Sequence, residues 1–238
     1  MLTISIVSHN QLHIMGCLLK NIINETDFNI ILTINTDENE DIIETYPRDR
    51  ISIIKNEKPL GFTQNHNNAF RKCTTDYFLI LNPDVVIEHN LIKNVLSEMI
   101  ENNIKIISPV AVSKSGKFLD NARRFPNLLT PLFRLISKKN KIDYNLKEND
   151  LYKVDWISGM FIMITSDVFS SLEGFDQQFF LYYDDVDLCR RAKEKGYTIY
   201  LTTTYKVVHE GNRLSKKSIK YFLIHLHSLF KYHFKHGI

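Results

Sequence analysis

The chain has 238 residues, of which 44% are hydrophobic and 24% are charged, and its formal net charge is +3. These values are typical of one large globular domain or two fused halves, and they exclude a mainly disordered, collagen-like or coiled-coil protein. The three cysteines form no CxxC pair, which excludes a zinc knuckle or a disulfide scaffold and favours reduced thiols in the cytoplasm.

Short β-branched segments alternate with helical patterns over the first half of the chain. The predicted strands are Leu2–Ser8, 28–35, Ile51–Lys55, Tyr77–Leu81 and 105–112. The predicted helices are 11–23, 61–72 and 90–100. This order predicts an α/β fold with a doubly wound, mostly parallel central sheet and helices on both of its faces.

The alternation stops at residues 113–153, which are rich in Lys, Asn and Arg and contain Pro126 and Pro131. We interpret this segment as a loop-rich insertion with one short helix near 132–136. Regular structure returns with predicted strands at 154–165, 198–201 and 206–208 and predicted helices at 184–195 and 215–235. The sequence shows no internal repeat and no linker that would divide it into independent domains.

Polar residues follow several of the predicted strands. In a parallel sheet, ligands bind beyond the carboxyl ends of the strands, so these residues are the first candidates for a site. They are Ser8, His9 and Asn10, then Asn35, Thr36 and Asp37, and then Asn82 and Asp84. A carboxylate such as Asp84 at a strand end can hold a divalent cation that bridges a diphosphate. The run Asn-Pro-Asp at this point is equally typical of a turn without function.

Three acids, Asp184, Asp185 and Asp187, fall within four residues at the start of a predicted helix. Acids in this position are usually caps that complement the helix dipole. Here a dense aromatic segment precedes them, and an aromatic wall can desolvate a carboxylate and raise its pKa toward that of a useful base.

His209 lies at the end of another predicted strand. A lone histidine is more often structural, but this position leaves a metal-binding role open.

The C-terminal part of the chain is basic. Residues 206–238 contain seven Lys or Arg and one acid, so the rest of the chain carries a net charge of −3. The last predicted helix has apolar residues at helical spacing, which are Ile219, Phe222, Leu223, Leu226, Leu229, Phe230 and Phe234. Two interpretations stay open. The stripe packs on the domain, or part of the helix lies on a membrane surface, where its lysines meet anionic lipid.

The order and spacing of these motifs resemble family 2 glycosyltransferases, especially their bacterial rhamnosyltransferase-like branch. The resemblance covers nearly the whole chain and rests on the opening strand and on NEKPLGFTQNHNNAF, DYFLILNPDVVI, VDWISGMFIMI, LEGFDQQFFLYYDDVDLCRRAKEKGY and VVHEG. It implies a GT-A fold in which residues 1–112 bind the nucleotide sugar. Residues 113–238 would then bind the acceptor and supply the catalytic group, and they would end in the basic amphipathic helix.

The resemblance also implies roles for individual residues. Asp185 matches the catalytic base. The implied supporting residues are Asp184, Asp187 and Arg191, and the implied ligands of Mg²⁺ or Mn²⁺ are Asp84 and His209. The implied nucleotide-sugar contacts are Ser8, His9, Asn10, Asn35, Asp37, Gly61, Asn67, Asn82 and Asp84, and the implied sugar and acceptor contacts are Trp156, Ser158 and Gly159.

The sequence departs from the family pattern at three of these positions. Asn35 stands where the family often has an aspartate that reads the base, although an amide both donates and accepts and can still pair with a pyrimidine edge. Asn82 replaces the first acid of the DxD-type motif. Asp184 is one methylene shorter than the family's glutamate, which reduces its reach.

The activity that the resemblance implies is an inverting sugar transfer from dTDP-rhamnose or a UDP-sugar. The acceptor would be a hydroxyl of a growing, lipid-linked bacterial surface glycan at the inner face of the cytoplasmic membrane. A sugar nucleotidyltransferase would need a Gly-rich phosphate loop near the N-terminus, which SIVSHNQLHIM lacks. A non-catalytic nucleotide-sugar-binding or membrane-surface protein is the remaining alternative, and the acids Asp84 and Asp185 disfavour it. Nucleic acid is not an expected partner, because the basic tail carries no recognised motif.

Overall fold

The computed structural model describes residues 1–25, 27–47, 49–127, 143–209 and 219–237. Their strands are β1 (Leu2–Ser8), β2 (Asn29–Ile34), β3 (Ile51–Lys55), β4 (Tyr77–Leu81), β5 (Val86–Ile87), β6 (Ile106–Val112), β7 (Ala122–Arg123), β8 (Leu151–Val154), β9 (Trp156–Ile157), β10 (Phe161–Thr165) and β11 (Ile199–Val208). Their helices are α1 (Gly16–Glu25), α2 (Asp41–Glu44), α3 (Phe62–Phe70), α4 (Leu91–Glu101), α5 (Ser166–Ser171), α6 (Asp184–Glu194) and α7 (Ile219–His236). The helix predicted near 132–136 lies outside the described residues.

Nine strands form one central sheet in the order β3-β2-β1-β4-β10-β6-β11-β5, and β8 pairs with β11. The first four strands are parallel, and β6 is parallel to β11. β10 lies antiparallel between β4 and β6 and joins the two parallel groups. β4 and β6 therefore run in the same direction, so the carboxyl ends of both parallel groups lie along one edge of the sheet.

The core lies on both faces of this sheet, because side chains alternate along each buried strand. In β4, Leu79 and Leu81 belong to one hydrophobic cluster, and Phe78 and Ile80 belong to the other. Residues of α1 and α4 complete the first cluster, and residues of α3, α5 and α6 complete the second. The predicted α/β class, with helices on both faces, is confirmed.

Four predicted elements, three strands and one helix, differ from the structure. The strand predicted over 154–165 is interrupted at residue 155 and over residues 158–160, where the Gly159 N–H donates to a side chain instead of continuing a ladder. The strands predicted at 198–201 and 206–208 are one strand, β11, whose register shifts between Thr202 and Lys206. A bulge of this kind bends a strand without ending it. The helix predicted at 11–23 begins as the 3-10 turn Leu12–Ile14.

Candidate active site

A cleft of about 340 Å³ lies beyond the carboxyl ends of β2 and β3. Its lining comes from these ends and from the loops after them: Ile34, Asn35, Thr36, Asp37, Glu40, Lys55, Asn56, Glu57 and Pro59. Two of the predicted nucleotide contacts, Asn35 and Asp37, are among these residues. Asp37 is exposed, whereas Asn35 is buried. The cleft occupies the place where ligands bind in parallel sheets.

The Asn35 amide is held by hydrogen bonds within the protein. Its Nδ2 donates to the Leu60 carbonyl and to His9 Nδ1, at 3.0 Å in each case. Its Oδ1 accepts from the Leu60 N–H and from Asn56 Nδ2, both at 2.8 Å. An amide has two donors and two acceptor positions, and all four are used here. Asn35 therefore shapes the wall of the cleft, and pairing with a base would require one of these bonds to break.

The loop after β1 is held in place by Glu38, a residue that was not predicted from the sequence. The Glu38 carboxylate accepts from Ser8 Oγ and from the Leu12 N–H at 2.9 Å, and from the Asn10 N–H at 3.2 Å. Ser8 and the Asn10 backbone are thereby fixed near the cleft. The run TDENE offers several acids with equal local signal, so only the fold shows which of them reaches this loop.

Asp84 and His209 meet beyond the carboxyl ends of β4 and β11. His209 Nε2 lies 3.3 Å from Asp84 Oδ1, and their side chains are 19% and 27% exposed, so both remain accessible. Partial burial by itself would raise the pKa of Asp84, but the hydrogen bond and the electrostatic influence of His209 outweigh burial and lower this pKa. The carboxylate is therefore ionised at neutral pH.

This pair fits a divalent cation. Mg²⁺ in phosphate-transfer sites is held by one or two carboxylates together with substrate oxygens, and imidazole nitrogen suits the transition metals. Ligands on adjacent positions of an octahedral ion at about 2.1 Å lie about 3 Å apart, close to the 3.3 Å between these two side chains. Within the described part of the chain, no group of three or more such side chains converges. A diphosphate and water would complete the coordination.

Asp185, in the first turn of α6, lies beside the break between β9 and β10. Its Oδ2 accepts from the Gly159 N–H at 3.0 Å, and its Oδ1 accepts from the Val186 N–H at 2.8 Å. Burial raises the pKa of this carboxyl above its ordinary value and outweighs the two N–H donors and the charge of Arg123, which lower it. The side chain is half-buried and still reaches solvent.

Asp184 lies next to Asp185 and is almost completely buried, with 5% of the residue exposed. Burial, followed by the charge of Asp185, raises the pKa of Asp184 well above its ordinary value. Two neighbouring carboxyls of this kind hold their protons as a pair. The more accessible member, Asp185, has the properties of a general base, because it is desolvated enough to attract a proton and open enough to receive one.

The metal-type pair and the carboxyl pair lie at the same edge of the sheet. The Asn82 N–H donates to the Met160 carbonyl at 2.9 Å, so the segment that leads to Asp84 runs beside the segment that contains Gly159. Gly159 is in turn bonded to Asp185.

The segment before Gly159 forms the outer wall beside Asp185. Trp156 Nε1 donates to the Arg124 carbonyl at 3.1 Å, and the Arg123 guanidinium lies 5.6 Å from the centre of the indole. The Ser158 N–H donates to the Asn121 carbonyl at 2.8 Å. The structure therefore brings two of the predicted acceptor contacts, Trp156 and Ser158, into the wall that adjoins the candidate base.

The family model for glycosyl transferase family 2 matches residues 3–169. This chain belongs to glycosyltransferase family 2. Rhamnosyltransferase WbbL of Escherichia coli (strain K12) is 28% identical over 184 residues, which are 72% of this chain and 69% of that protein. The N-acetylglucosaminyl-diphospho-decaprenol L-rhamnosyltransferase of Mycobacterium tuberculosis (strain CDC 1551 / Oshkosh) is 24% identical over 143 residues, which are 56% of this chain and 47% of that protein. The chain thus spans about two thirds of the first relative and about half of the second.

Solved structures place this family 2 glycosyltransferase in the GT-A fold, as predicted. GalNAc-T7 with UDP, GalNAc and Mn²⁺ aligns with a TM-score of 0.65 at 13% identity, over 87% of this chain and 43% of that one. Staphylococcus aureus TarS 1-349 in complex with UDP-GlcNAc aligns with a TM-score of 0.64 at 12% identity, over 94% of this chain and 64% of that one. The match to the family model ends before α6 and does not reach Asp185.

Asp187 and Arg191, two of the residues predicted to support the base, form contacts in the interior of the protein and do not line the cleft. Asp187 is completely buried, and its oxygens accept from Arg191 Nε at 2.7 Å and from Lys235 Nζ at 2.6 Å. Arg191 also donates to the carbonyls of Leu172 and Gly174. These contacts occupy both side chains, so any support they give to Asp185 acts through the loop that precedes α6.

Gly61 and Asn67, predicted as nucleotide contacts, also hold this loop. Asn67 Nδ2 donates to the Phe175 carbonyl at 2.7 Å, and its Oδ1 accepts from the Phe175 N–H at 2.9 Å. A Cβ at Gly61 would lie 2.8 Å from the Phe180 carbonyl oxygen, so the loop approaches α3 too closely for any larger residue. Both residues act on the site indirectly, because they pack the loop that precedes α6 against α3.

Proposed function

We propose that this glycosyltransferase moves a sugar from a nucleoside-diphosphate sugar to a hydroxyl of a glycan acceptor and inverts the configuration at the anomeric carbon. The observation that carries the proposal is the Asp185 carboxyl, half-buried, raised in pKa and held by the Gly159 N–H. It lies on the sheet edge where Asp84 and His209 form a site suited to a metal and a diphosphate.

The reaction is a single displacement. Asp185 removes the proton of the acceptor hydroxyl while that oxygen attacks the anomeric carbon. The new carbon–oxygen bond forms opposite the bond to the nucleoside diphosphate, which leaves with the electron pair, so the configuration inverts. A Mg²⁺ or Mn²⁺ ion held by Asp84 and His209 would stabilise the charge that develops on the leaving diphosphate. No covalent intermediate with the protein is needed.

The relatives and the cleft support a choice of donor and acceptor. Two of the relatives are named as rhamnosyltransferases, and TarS was solved with UDP-GlcNAc, which supports dTDP-rhamnose or a UDP-sugar as the donor. The nucleobase of the donor would enter the cleft beside the exposed Asp37, in the half formed by residues 1–112. The mycobacterial relative is named for a lipid-linked diphosphate sugar, which supports a growing, lipid-linked surface glycan as acceptor of the 113–238 half.

A donor panel tests this function. dTDP-rhamnose, UDP-GlcNAc, UDP-galactose and GDP-mannose are each added with Mn²⁺ or with EDTA, and thermal stability and donor hydrolysis are measured. We expect a pyrimidine-nucleotide sugar to raise the melting temperature, because binding to the folded state stabilises it. We also expect slow hydrolysis of the same donor that needs the metal. Stabilisation with no turnover would favour the non-catalytic alternative, and no response to any donor would contradict both.

The outer face of α7 is apolar. Its exposed hydrophobic residues are Ile219, Phe222, Leu223, Phe230 and Phe234. On the inner face of α7, Leu229 packs in a hydrophobic cluster, and Lys231 and Lys235 bind protein oxygens. The apolar residues and the lysines predicted for this helix are therefore divided between its two faces. Among the described residues, no helix combines the length and the apolar character that a bilayer span requires. We propose that this outer face lies on the inner surface of the cytoplasmic membrane, where a lipid-linked acceptor is found.

Liposome co-sedimentation tests this placement. We expect binding to anionic vesicles but not to neutral ones, because each basic residue near an anionic surface contributes about 1 kcal/mol. High salt should release the protein. Phe230→Ser with Phe234→Ser should abolish binding, since both side chains are exposed and neither supports the core. Equal recovery with both kinds of vesicle, or with neither, would contradict the proposal.

A further inference from the structure

The last turn of α7 is bonded to the helix that carries the proposed base. Lys235 Nζ donates to Asp187 Oδ1 at 2.6 Å, and His236 Nε2 lies 2.9 Å from the same oxygen. Asp187 is completely buried, and Arg191 binds its other oxygen. A buried carboxylate is tolerated only with such partners, and the loss of one is strongly unfavourable. α7 therefore supplies part of the charge that keeps the first turn of α6 in place.

The same helix holds the loop between α5 and α6. Three of its side chains bond loop oxygens: Ser228 Oγ to the Leu181 carbonyl at 2.9 Å, Lys231 Nζ to the Gln178 carbonyl at 2.8 Å, and Lys235 Nζ to Asp176 Oδ2 at 2.7 Å. Leu229 and Tyr232 of α7 pack against Phe179 and Tyr183. Lys235 thus joins Asp176 of the loop to Asp187 of α6.

The loop reaches α6 in a strained conformation. Tyr182 and Tyr183, directly before Asp184, have φ angles of 67° and 61°. Successive non-glycine residues in this left-handed region persist only where surrounding contacts hold them. The His225 ring of α7 lies 5.1 Å from the Tyr182 ring and 5.3 Å from the Tyr183 ring, measured between centroids. These ring contacts from α7 are among those that hold the backbone just before Asp185.

We propose that α7 is a positioning element for the base, and that Lys235 is its principal positioning residue. By bridging Asp176 and Asp187, Lys235 keeps Tyr182 and Tyr183 in their strained conformation and so fixes Asp185 against Gly159. This rests on the proposed function only in taking Asp185 as the base. α7 lies outside residues 3–169, so the device belongs to this chain's C-terminal part and not to the segment that the family model matches.

The test compares Lys235→Met with Lys220→Met, an exposed lysine of the same helix. We expect Lys235→Met to lower kcat by about 10²-fold, because a displacement of about 1 Å in a reacting group has an effect of this size. Nucleotide affinity, measured by calorimetry, should change less than about twofold, since the cleft is formed by β2 and β3. Lys235→Arg should recover most of the activity. Lys220→Met should match the parent protein in every measurement.

Amide hydrogen exchange gives a second readout that does not depend on turnover. Exchange at residues 181–186 should become about tenfold faster in Lys235→Met and stay unchanged in Lys220→Met, while exchange in β1 and β4 stays slow in both. If no donor or acceptor supports turnover by the parent protein, the proposed function fails and exchange still decides this inference. Equal exchange and equal kcat in the two variants would overturn it. If Lys235→Met does not fold, Lys231→Met with His225→Ala replaces it under the same criteria.

Discussion

The Asp185→Asn variant is expected to transfer sugar at least about 10²-fold more slowly than the parent protein, while its affinity for the nucleotide stays unchanged. The amide keeps the size of the carboxyl, and its oxygen can still accept from the Gly159 N–H, but it cannot take the proton of the attacking hydroxyl. Initial rates at saturating donor and acceptor, with calorimetry for nucleotide affinity, measure the two effects.

Asp184→Asn is the control for this assignment. Near-normal turnover in Asp185→Asn, with a large loss in Asp184→Asn, would move the role of base to Asp184.

The Asp185→Asn variant is not expected to lose activity by unfolding. Because burial raises the pKa of Asp185, the folded state binds a proton more tightly than the unfolded chain does. The stability from that proton is present below the ordinary carboxyl pKa near 3.9 and is lost as pH rises through the raised value. Asn has no charge to bury, so its stability at neutral pH should be equal or higher.

The same shift fixes the pH dependence of the parent enzyme. A general base works in its deprotonated form, so kcat/KM should fall as the pH drops through the pKa of the Asp184 and Asp185 pair. Since burial raises both pKa values, the acidic limb should lie above the value near 4 of an exposed aspartate. A limb at or below pH 4 would show that a solvated carboxylate is the base.

Asp84→Ala is expected to weaken metal-dependent binding of the donor by at least about 10- to 100-fold, because even the loss of a residue that only orients a metal ligand has an effect of this size. Binding of the free nucleotide in EDTA should change little, because the cleft beyond β2 and β3 is left intact. Titration of UDP and dTDP with and without Mn²⁺ separates these effects.

His209→Ala is the matched variant for this prediction. Its side chain is the partner of Asp84 at 3.3 Å, so a shared site predicts losses of similar size and the same dependence on Mn²⁺. Since both side chains are partly exposed, neither variant should be strongly destabilised. Unchanged Mn²⁺-dependent affinity in Asp84→Ala would exclude this pair as the metal site and leave the diphosphate to other groups.

The positions of the buried strands could be predicted from sequence with good accuracy. Leu2–Ser8 and Tyr77–Leu81 have the predicted limits, because buried strands are largely apolar or β-branched runs bounded by polar residues. Ile51–Lys55, at the edge of the sheet, also has the predicted limits. The resemblance to family 2 glycosyltransferases also predicted that Asp84 and His209 lie in one region, although 125 positions separate them in the chain.

Tertiary structure decided the features that depend on contacts between distant segments. The saturated amide of Asn35 depends on Leu60, and the fixed loop after β1 depends on Glu38, neither of which carries a local signal. The sequence shows three similar acids at the start of α6, but only the fold separates a half-buried Asp185 from an Asp187 neutralised by Lys235. Local pattern determines secondary structure because side-chain periodicity is a property of neighbouring residues. Burial, charge compensation and pKa are set by whichever segments come to surround a side chain, and the packing of the whole chain determines those.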